Sequence, residues 1–457
     1  MNVAYLESLV KGINDVLWSW PLIIFFLVVG FIATIALKFV QFRYFFKAWG
    51  LVLAPHDHAK NPQGDMTPFQ AFINALSTSI GNGSLAGMAT AVHEGGPGAA
   101  FWIFVLGIFA LPIRFSEVYL SNAFEGAGST ISTGGPMMYL KKVPGSFILP
   151  ALYAFFCLML AFISGNAVQS NSVSNGLQQI LPLDKYIIAG LITAFVLYVV
   201  LGGAARVVKI SEAVVPMKVG LFFISAVIVL IYHAPSLLNA LKIIVTSAFT
   251  PQAVRGAIVG TTMQSAIRFG MSRSLNASEI GLGTAAVFFG STGSKNPVEN
   301  GIMSMVSAFI SNYLVCFILT LLIVLTGVWN HDATSIALTT QAFGTVFGTF
   351  AGWLVTALSI IFGIGVLVAY VYIGRECWSY LTGGRFLGLY SLIYCVLAFI
   401  GSIVKVQLVW DAVDIVNAGL VAINLYAILY LMPKISKGVT AYMNALHRHT
   451  NSEKVRS

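Results

Sequence analysis

NALSTSIGNGSLAGMATAVHEGGPG, residues 74–98, begins as an apolar helix of small residues that Gly81-Asn82-Gly83-Ser84 then interrupts. Each of the two glycines weakens a helix by about 1 kcal/mol. In lipid, backbone groups released by such a break cost several kcal/mol each unless protein, water or a ligand satisfies them. A break of this kind inside a membrane segment marks a place where something polar binds. The stretch predicts one half of a solute-binding site.

The surrounding composition demands a membrane. Of 457 residues, 58% are hydrophobic and 9% are charged, more apolar surface than a water-soluble fold of this length hides. A crossing takes about 20 mostly apolar residues. Eleven spans qualify, near 21–40, 67–92, 98–122, 147–178, 185–203, 211–232, 254–290, 300–328, 347–381, 386–404 and 411–432. The first apolar run, near Trp20, follows no charged n-region or cleavage site, so it reads as a retained helix and not a signal peptide.

The net charge is +9, and its distribution points to topology instead of nucleic acid. With the N-terminus outside, 17 Lys and Arg fall on the inner side and 5 on the outer, while Lys218, Arg268 and Arg273 lie in mid-membrane positions. That asymmetry predicts a cytoplasmic C-terminus. The four cysteines, in or beside apolar spans without CxxC spacing, predict neither disulfides nor a metal cluster. All seven histidines fall in loops, helix ends or the tail, which argues against haem or an intramembrane metal site.

An internal echo suggests a repeat. Ile80-Gly81-Asn82-Gly83-Ser84 in the second span is matched by Ile280-Gly281-Leu282-Gly283-Thr284 in the seventh. The spans are five apart, so the two halves have opposite orientation, the inverted-repeat plan of many secondary transporters.

Polar residues inside the spans are the candidates for chemistry. Asn166, Gln169 and Ser170 share one face of the fourth span and read either as ligand contacts or as interhelical hydrogen bonds. The seventh span carries Gln264, Arg268, Ser272, Arg273, Asn276 and Glu279. Intramembrane charges are expensive and are paired or functional, so Glu279 with Arg268 or Arg273 reads as an ion pair at the cytoplasmic gate. Arg114 and Glu117, three apart, read as a local pair. Lys218 is isolated about seven residues inside its span; it either snorkels to the interface or finds a partner or loses its proton.

The motifs NALSTSIGNGSLAGMATAVHEGGPGAAFW (74–102), GGPMMYL (134–140), GNAVQSNS (165–172), SAFTPQAVRGA (247–257), AIRFGMSRSLNASEIGLGTA (266–285) and GREC (374–377) resemble the alanine/glycine:cation symporter family over nearly the whole chain. The resemblance implies an all-α integral membrane protein with about 11 transmembrane helices. Its fold would be a leucine-transporter-like 5+5 inverted repeat with an extra N-terminal helix. The implied units are 1–46, the lead-in and extra helix; 67–232 and 254–432, the two repeats; and 433–457, a basic cytoplasmic tail. It also implies sodium-coupled uptake of a small neutral amino acid, alanine or glycine foremost and glutamine or serine besides, across a bacterial inner membrane. Neither a cofactor nor an obligate protein partner is implied, only the substrate, the bilayer and a coupling ion.

Carried onto this chain, the resemblance places Thr78, Gly81, Asn82 and Gly83 at the substrate carboxylate. Asn166 and Gln169 face the substrate, and Phe269, Ser272 and Asn276 surround its side chain. Ser79, Gly365 and Lys218 fall at the cation region. The chain departs from the family pattern at three places. Gly81-Asn82-Gly83-Ser84 replaces G-T-G-N, and Asn276 stands where the family has an aromatic wall, which would admit a larger or more polar amino acid. Ile364-Gly365-Val366-Leu367-Val368-Ala369-Tyr370 lacks the Ser/Thr hydroxyls that would ligate sodium, a hard cation wanting several oxygens. Coupling by Na+ through backbone carbonyls therefore competes with a reading in which the Lys218 ammonium replaces the ion, giving proton-coupled or ion-independent transport. An ion channel needs a continuous polar pore or charged ring, which two breaks meeting at mid-membrane do not supply. A membrane enzyme lacks a nucleophile–base pair, and no nucleotide-binding motif supports a primary pump.

Overall fold

The computed structural model describes residues 12, 14, 16–18, 20–54, 64–124, 134–249, 263–294, 296–330, 332–404 and 407–456, with side chains described except at 180, 407–412 and 446–456. Among them every regular element is helical. The early helices are α1 (Trp20–Ala36), α2 (Phe45–Leu53), α3 (Pro68–Ser79), α4 (Met88–Gly95), α5 (Gly98–Ala123), α6 (Leu149–Phe162), α7 (Gln169–Ile180) and α8 (Lys185–Tyr232). They continue as α9 (Leu237–Ser247), α10 (Met263–Ser278), α11 (Thr284–Phe289), α12 (Pro297–Phe309), α13 (Ile318–Leu325), α14 (Ser335–Phe347), α15 (Phe350–Thr382), α16 (Leu387–Ile403) and α17 (Gln407–Arg456).

Six stretches are long and apolar enough to cross a membrane: Gly98–Ala123, Leu149–Gln179, Lys185–Tyr232, Pro297–Leu325, Phe350–Thr382 and Val413–Ala445. Trp20–Ala36, Ala234–Ser247 and Leu387–Ile403 are shorter apolar helices. The chain is a multi-pass membrane protein. The 48 residues of α8 would run about 72 Å as one rod, against a hydrocarbon core of about 30 Å. Gly203, at φ 59 and ψ −153, breaks the rod in two, as the separate spans near 185–203 and 211–232 require. Large apolar side chains such as Ile24, Phe31, Leu191, Ile231 and Leu392 stay exposed, a surface suited to lipid tails.

Local sequence sets the ends of these helices. Pro68 opens α3 behind a capping box: the Thr67 hydroxyl accepts from Gln70 N at 3.3 Å, and Thr67 N donates to Gln70 Oε1 at 2.9 Å. Asp184 caps α8 by accepting from Tyr186 N at 2.8 Å, one of the orphan donors every helix start must satisfy. Gly383, at φ 65, ends α15 in the left-handed conformation.

The helices pack in two groups. In the first, α5 runs along α12, α10 lies against α4 and α5, and α12 touches α3. In the second, α15 packs on α6, α7 and α8, and α16 on α7 and α8. The second half of α8, through Lys218, reaches back to α3.

The structure differs from the expected segments at both interesting ends. The span near 254–290 is two helices, α10 and α11, with residues 279–283 non-helical between them; residues 250–262 and their part of the SAFTPQAVRGA motif lie outside the described residues. The segment 433–457, expected as a basic tail, continues α17 through Pro433 to Arg456. Met432, Ile435, Val439 and Met443 are buried, and their spacing of three and four is an amphipathic stripe. Ser436 Oγ donates to Ala36 O at 2.9 Å, and Tyr442 OH to Glu299 Oε1 at 2.7 Å. The positive charges concealed this apolar face.

The buried core is pinned by one ion pair. Arg114 and Glu117, one turn apart in α5, meet at 3.0 Å with side-chain exposures of 1% and 0%. Removing one partner strands the other charge, at a cost of about 3–5 kcal/mol. Arg114→Met is therefore expected to lower the melting temperature in detergent sharply, and the double variant Arg114→Met/Glu117→Leu to recover part of it, as thermal unfolding of the purified variants will measure.

Candidate functional site: two helix breaks and the cavity between them

Both breaks liberate backbone groups, and side chains from other helices answer them. At the first, α3 stops at Ser79, Ile80 is non-helical (φ −125, ψ 88), and a wide turn over Gly83–Gly87 leads into α4. Lys218 Nζ donates to Ser77 O and to Ile80 O, both at 2.7 Å. It is fully buried and has the Phe362 ring 5.9 Å away, so neither water nor the interface is its partner. A Cβ on Gly365 would stand 2.9 Å from that nitrogen; the glycine is what lets the ammonium in. Gly365 O accepts from Ser77 Oγ at 2.9 Å.

The second break is held by four side chains. Arg114 Nη2 donates to Ser278 O at 3.0 Å, Asn424 Nδ2 to Gly281 O at 2.9 Å, and Tyr153 OH to Leu282 O at 2.7 Å. Glu117 Oε2 accepts from Asn424 Nδ2 at 3.0 Å, beside the backbone of Gly281 and Gly283. Gly281 and Gly283 adopt φ of 83 and 80, and Glu279 a φ of 54. A non-glycine residue in the left-handed region costs on the order of 1 kcal/mol or more and persists where the surroundings impose it.

Between the breaks lies a cavity of about 40 Å³ lined by Thr78, Gly81, Gly83, Gly87, Ser164, Gln169, Arg273, Asn276, Ala277, Glu279, Val366 and Val413. That is space for a few waters or one small solute. Asn82, buried behind the cavity-lining Gln169, donates its amide to Gln169 Oε1 and to Ser359 O, each at 3.1 Å, and accepts from Ser359 Oγ at 2.7 Å. Ser359 also belongs to a cleft of about 490 Å³ between α7, α14 and α15, lined in part by Asn175, Gln179, Thr340 and Thr356. A polar route thus runs from the cleft to the cavity through Ser359, Asn82 and Gln169. At the other end of α3, the bundle is closed. Asp65 N donates to Ser291 O at 2.9 Å, Tyr372 OH donates to Asp65 Oδ2 at 3.0 Å, and Gly64 sits where a Cβ would be 2.5 Å from the Thr292 backbone.

Six of the residues singled out from the sequence as substrate or gate residues line this cavity besides Arg273: Thr78, Gly81, Gly83, Gln169, Asn276 and Glu279. Lys218 and Gly365 meet at the first break. Others lie elsewhere. Asn166 donates to Tyr394 O at 2.7 Å and its carbonyl accepts from Ser170 Oγ at 3.3 Å, the interhelical alternative. Phe269 carries the Arg268 guanidinium 5.4 Å above its ring and packs on Gly95. Ser272 is buried beside the cavity lining, and Ser79 Oγ turns back on its own helix to Ala75 O at 2.9 Å.

The expected gate pair is corrected. Arg273 Nη1 pairs with Asp414 Oδ2 at 3.1 Å, and Asn276 donates to the same carboxylate while accepting from Asn417 Nδ2 at 3.0 Å. Arg268 lies eleven residues from Glu279, about 16 Å along a helix. Arg273 lines the same cavity as Glu279 but gives its guanidinium to Asp414. Glu279 instead accepts from Tyr370 OH and, at 2.9 Å, from Thr284 Oγ1. The sequence reading missed Asp414, although a carboxylate inside an apolar span is itself a signal. It also missed Tyr370 and Ser359, which only the fold brings to the breaks.

The profile of the sodium:alanine symporter family matches residues 3–456. The chain belongs to this family. Its relatives include an uncharacterized transporter of Haemophilus influenzae, 31% identical and covering 96% of this chain and 97% of its own. The sodium/alanine symporter AgcS of Methanococcus maripaludis is 30% identical over 93% and 94%, and the probable sodium/glutamine symporter GlnT of Bacillus subtilis 28% identical over 94% and 89%. In fold, the chain is similar to a substrate-bound, outward-open Na+-coupled sialic acid symporter, with a TM-score of 0.53 at 12% identity, covering 91% of this chain and 86% of that one. The glycines that line the cavity allow a direct test. A Cβ on Gly81 would lie 2.6 Å from Val366 Cγ2, an overpacking worth about 1–3 kcal/mol. Gly81→Ala is expected to cut uptake at least several-fold, and adding Val366→Ala to restore part of it, measured in proteoliposomes at equal protein.

Proposed function

We propose that the protein is a secondary active transporter that takes up a small neutral amino acid together with a cation by alternating access. The observation that carries the reading is the cavity between two interrupted helices in a chain of this symporter family. Its polar lining and its size suit a solute such as alanine or glycine. Asn276, tied to Asp414 and Asn417, puts an amide group on the wall where the substrate side chain would lie, which favours serine or glutamine as further substrates.

The released N–H groups around Gly81–Gly83 would receive the substrate carboxylate at the positive end of the half-helix that continues through α4. Eleven crossings arranged as two inverted repeats, residues 67–232 and 254–432, fit the echo between the breaks. The charge asymmetry puts the N-terminus outside in a bacterial inner membrane. The cleft beside α14 then faces out, and the seal at Asp65 faces the cytoplasm, an outward-facing arrangement.

A specific observation favours a second mode of coupling. The Lys218 ammonium already occupies the two carbonyls that a sodium ion at the first break would use. A lysine that binds and releases its proton there would give proton-coupled or ion-independent transport. Uptake of labelled alanine and glutamine into proteoliposomes under an imposed sodium gradient, against an imposed proton gradient, decides between the modes. Sodium-driven uptake is the expected result for ordinary symport, and Lys218→Met should then lower the amount of folded protein without changing the driving ion. Proton-driven uptake that Lys218→Met uncouples assigns the coupling to the lysine.

A further inference from the structure

Glu279 is the one carboxylate in the cavity lining, and Arg273, one of the partners expected for it, pairs with Asp414 instead. It stands at the end of α10 in a left-handed conformation, 6% exposed. Tyr370 OH from α15 and Thr284 Oγ1 from α11 each donate to one of its oxygens, and Thr78 stands within hydrogen-bond reach from α3. All three neighbours are neutral. Among the described residues no basic side chain forms an ion pair with it.

The two buried cations in its neighbourhood are engaged elsewhere. Arg114 is paired with Glu117 and donates to Ser278 O. Lys218 gives hydrogen bonds to Ser77 O and Ile80 O. A carboxylate removed from water and left to neutral donors is costly unless a cationic group joins it. A carboxylate can also accept about four hydrogen bonds, so capacity remains on the side of the cavity.

Resting on the transport reading above, we infer that Glu279 receives the α-ammonium group of the transported amino acid, with Thr78 beside it. The geometry suits a zwitterion. Its ammonium meets the carboxylate of Glu279 at the second break, while its carboxylate meets the backbone of Gly81 and Gly83 across the same small cavity. The tyrosine and threonine donors fix the acceptor in place, so binding needs little rearrangement of the chain. A solute with the carboxylate but no ammonium would leave Glu279 unanswered and bind poorly.

The test measures binding of alanine and of lactate, which keeps the carboxylate and replaces the ammonium by a hydroxyl, to the purified full chain by calorimetry at saturating sodium. The unaltered protein is expected to bind alanine and to reject lactate. Glu279→Gln is expected to weaken alanine by about 30-fold or more, the loss typical of truncating one partner of a buried charge pair, and to erase the preference over lactate. Glu279→Asp keeps the charge and is expected to keep the preference at reduced affinity, which also serves if the glutamine variant does not fold. Unchanged alanine affinity in either variant overturns the assignment. So does a glutamine variant that binds alanine normally at saturating sodium but needs more sodium to do so, which would make Glu279 an ion site. Failure of the unaltered chain to bind any amino acid overturns the transport reading itself.

Discussion

The constraint on which everything else depends is that a peptide group facing hydrocarbon must be hydrogen-bonded. A helix meets this without help; an interrupted helix does not. The chain interrupts two and answers the released groups with side chains from four other helices. At the second break Arg114, Asn424 and Tyr153 take up the carbonyls of Ser278, Gly281 and Leu282, with Glu117 behind Asn424. The first has its carbonyls filled by Lys218, while its glycines front the cavity. The same physics thus leaves one break satisfied by side chains and the other fronting a cavity.

Charge placement follows from this division. Arg114 and Glu117 could have been a functional pair, but each is tied to the backbone of the second break, Glu117 through Asn424, as well as to the other, so moving either unravels α10 and α11. They belong to the frame. Arg273 and Asp414 are different: Arg273 is one-fifth exposed in its side chain, both touch Asn276 or the cavity, and they join α10 to α17. Tyr372 and Asp65 make the corresponding tie on the opposite side, between α15 and the segment leading into α3. Two polar ties, Arg273 to Asp414 and Tyr372 to Asp65, thus join these elements.

Much of this was legible in the sequence, and the gaps have physical reasons. The break at Gly81–Gly83 was readable because glycine and asparagine inside an apolar run have no helical justification. The break at Gly281–Gly283 was readable from the same pattern. The partners of the breaks were not: Lys218 is 138 residues from Ile80 and Asn424 is 143 from Gly281, and periodicity carries no information over such separations. Asn166 shows the converse. Its place on one face with Gln169 was legible, but the wide turn at Ile163–Val168 rotates it onto Tyr394 of α16 while Gln169 enters the cavity. The amphipathic end of α17 went unread because lysines and histidines surround its buried stripe.

Glycine decides where these long-range partners can meet. Gly365 has no side chain where the Lys218 ammonium passes, and a Cβ there would also stand 3.1 Å from Ser77 Oγ. One small residue in α15 therefore lets three elements, α3, α8 and α15, share a single cluster of carbonyls, hydroxyl and ammonium. Because Ser77 is hydrogen-bonded to Gly365 of α15 and Lys218 of α8 to Ser77, a movement of α3 away from both helices breaks both contacts at once. The lysine is then left with no acceptor in a region of low dielectric, where it must follow α3, lose its proton, or be replaced by another cation. The position of α3 and the partners of the Lys218 ammonium are therefore tied together through Ser77 and Ile80.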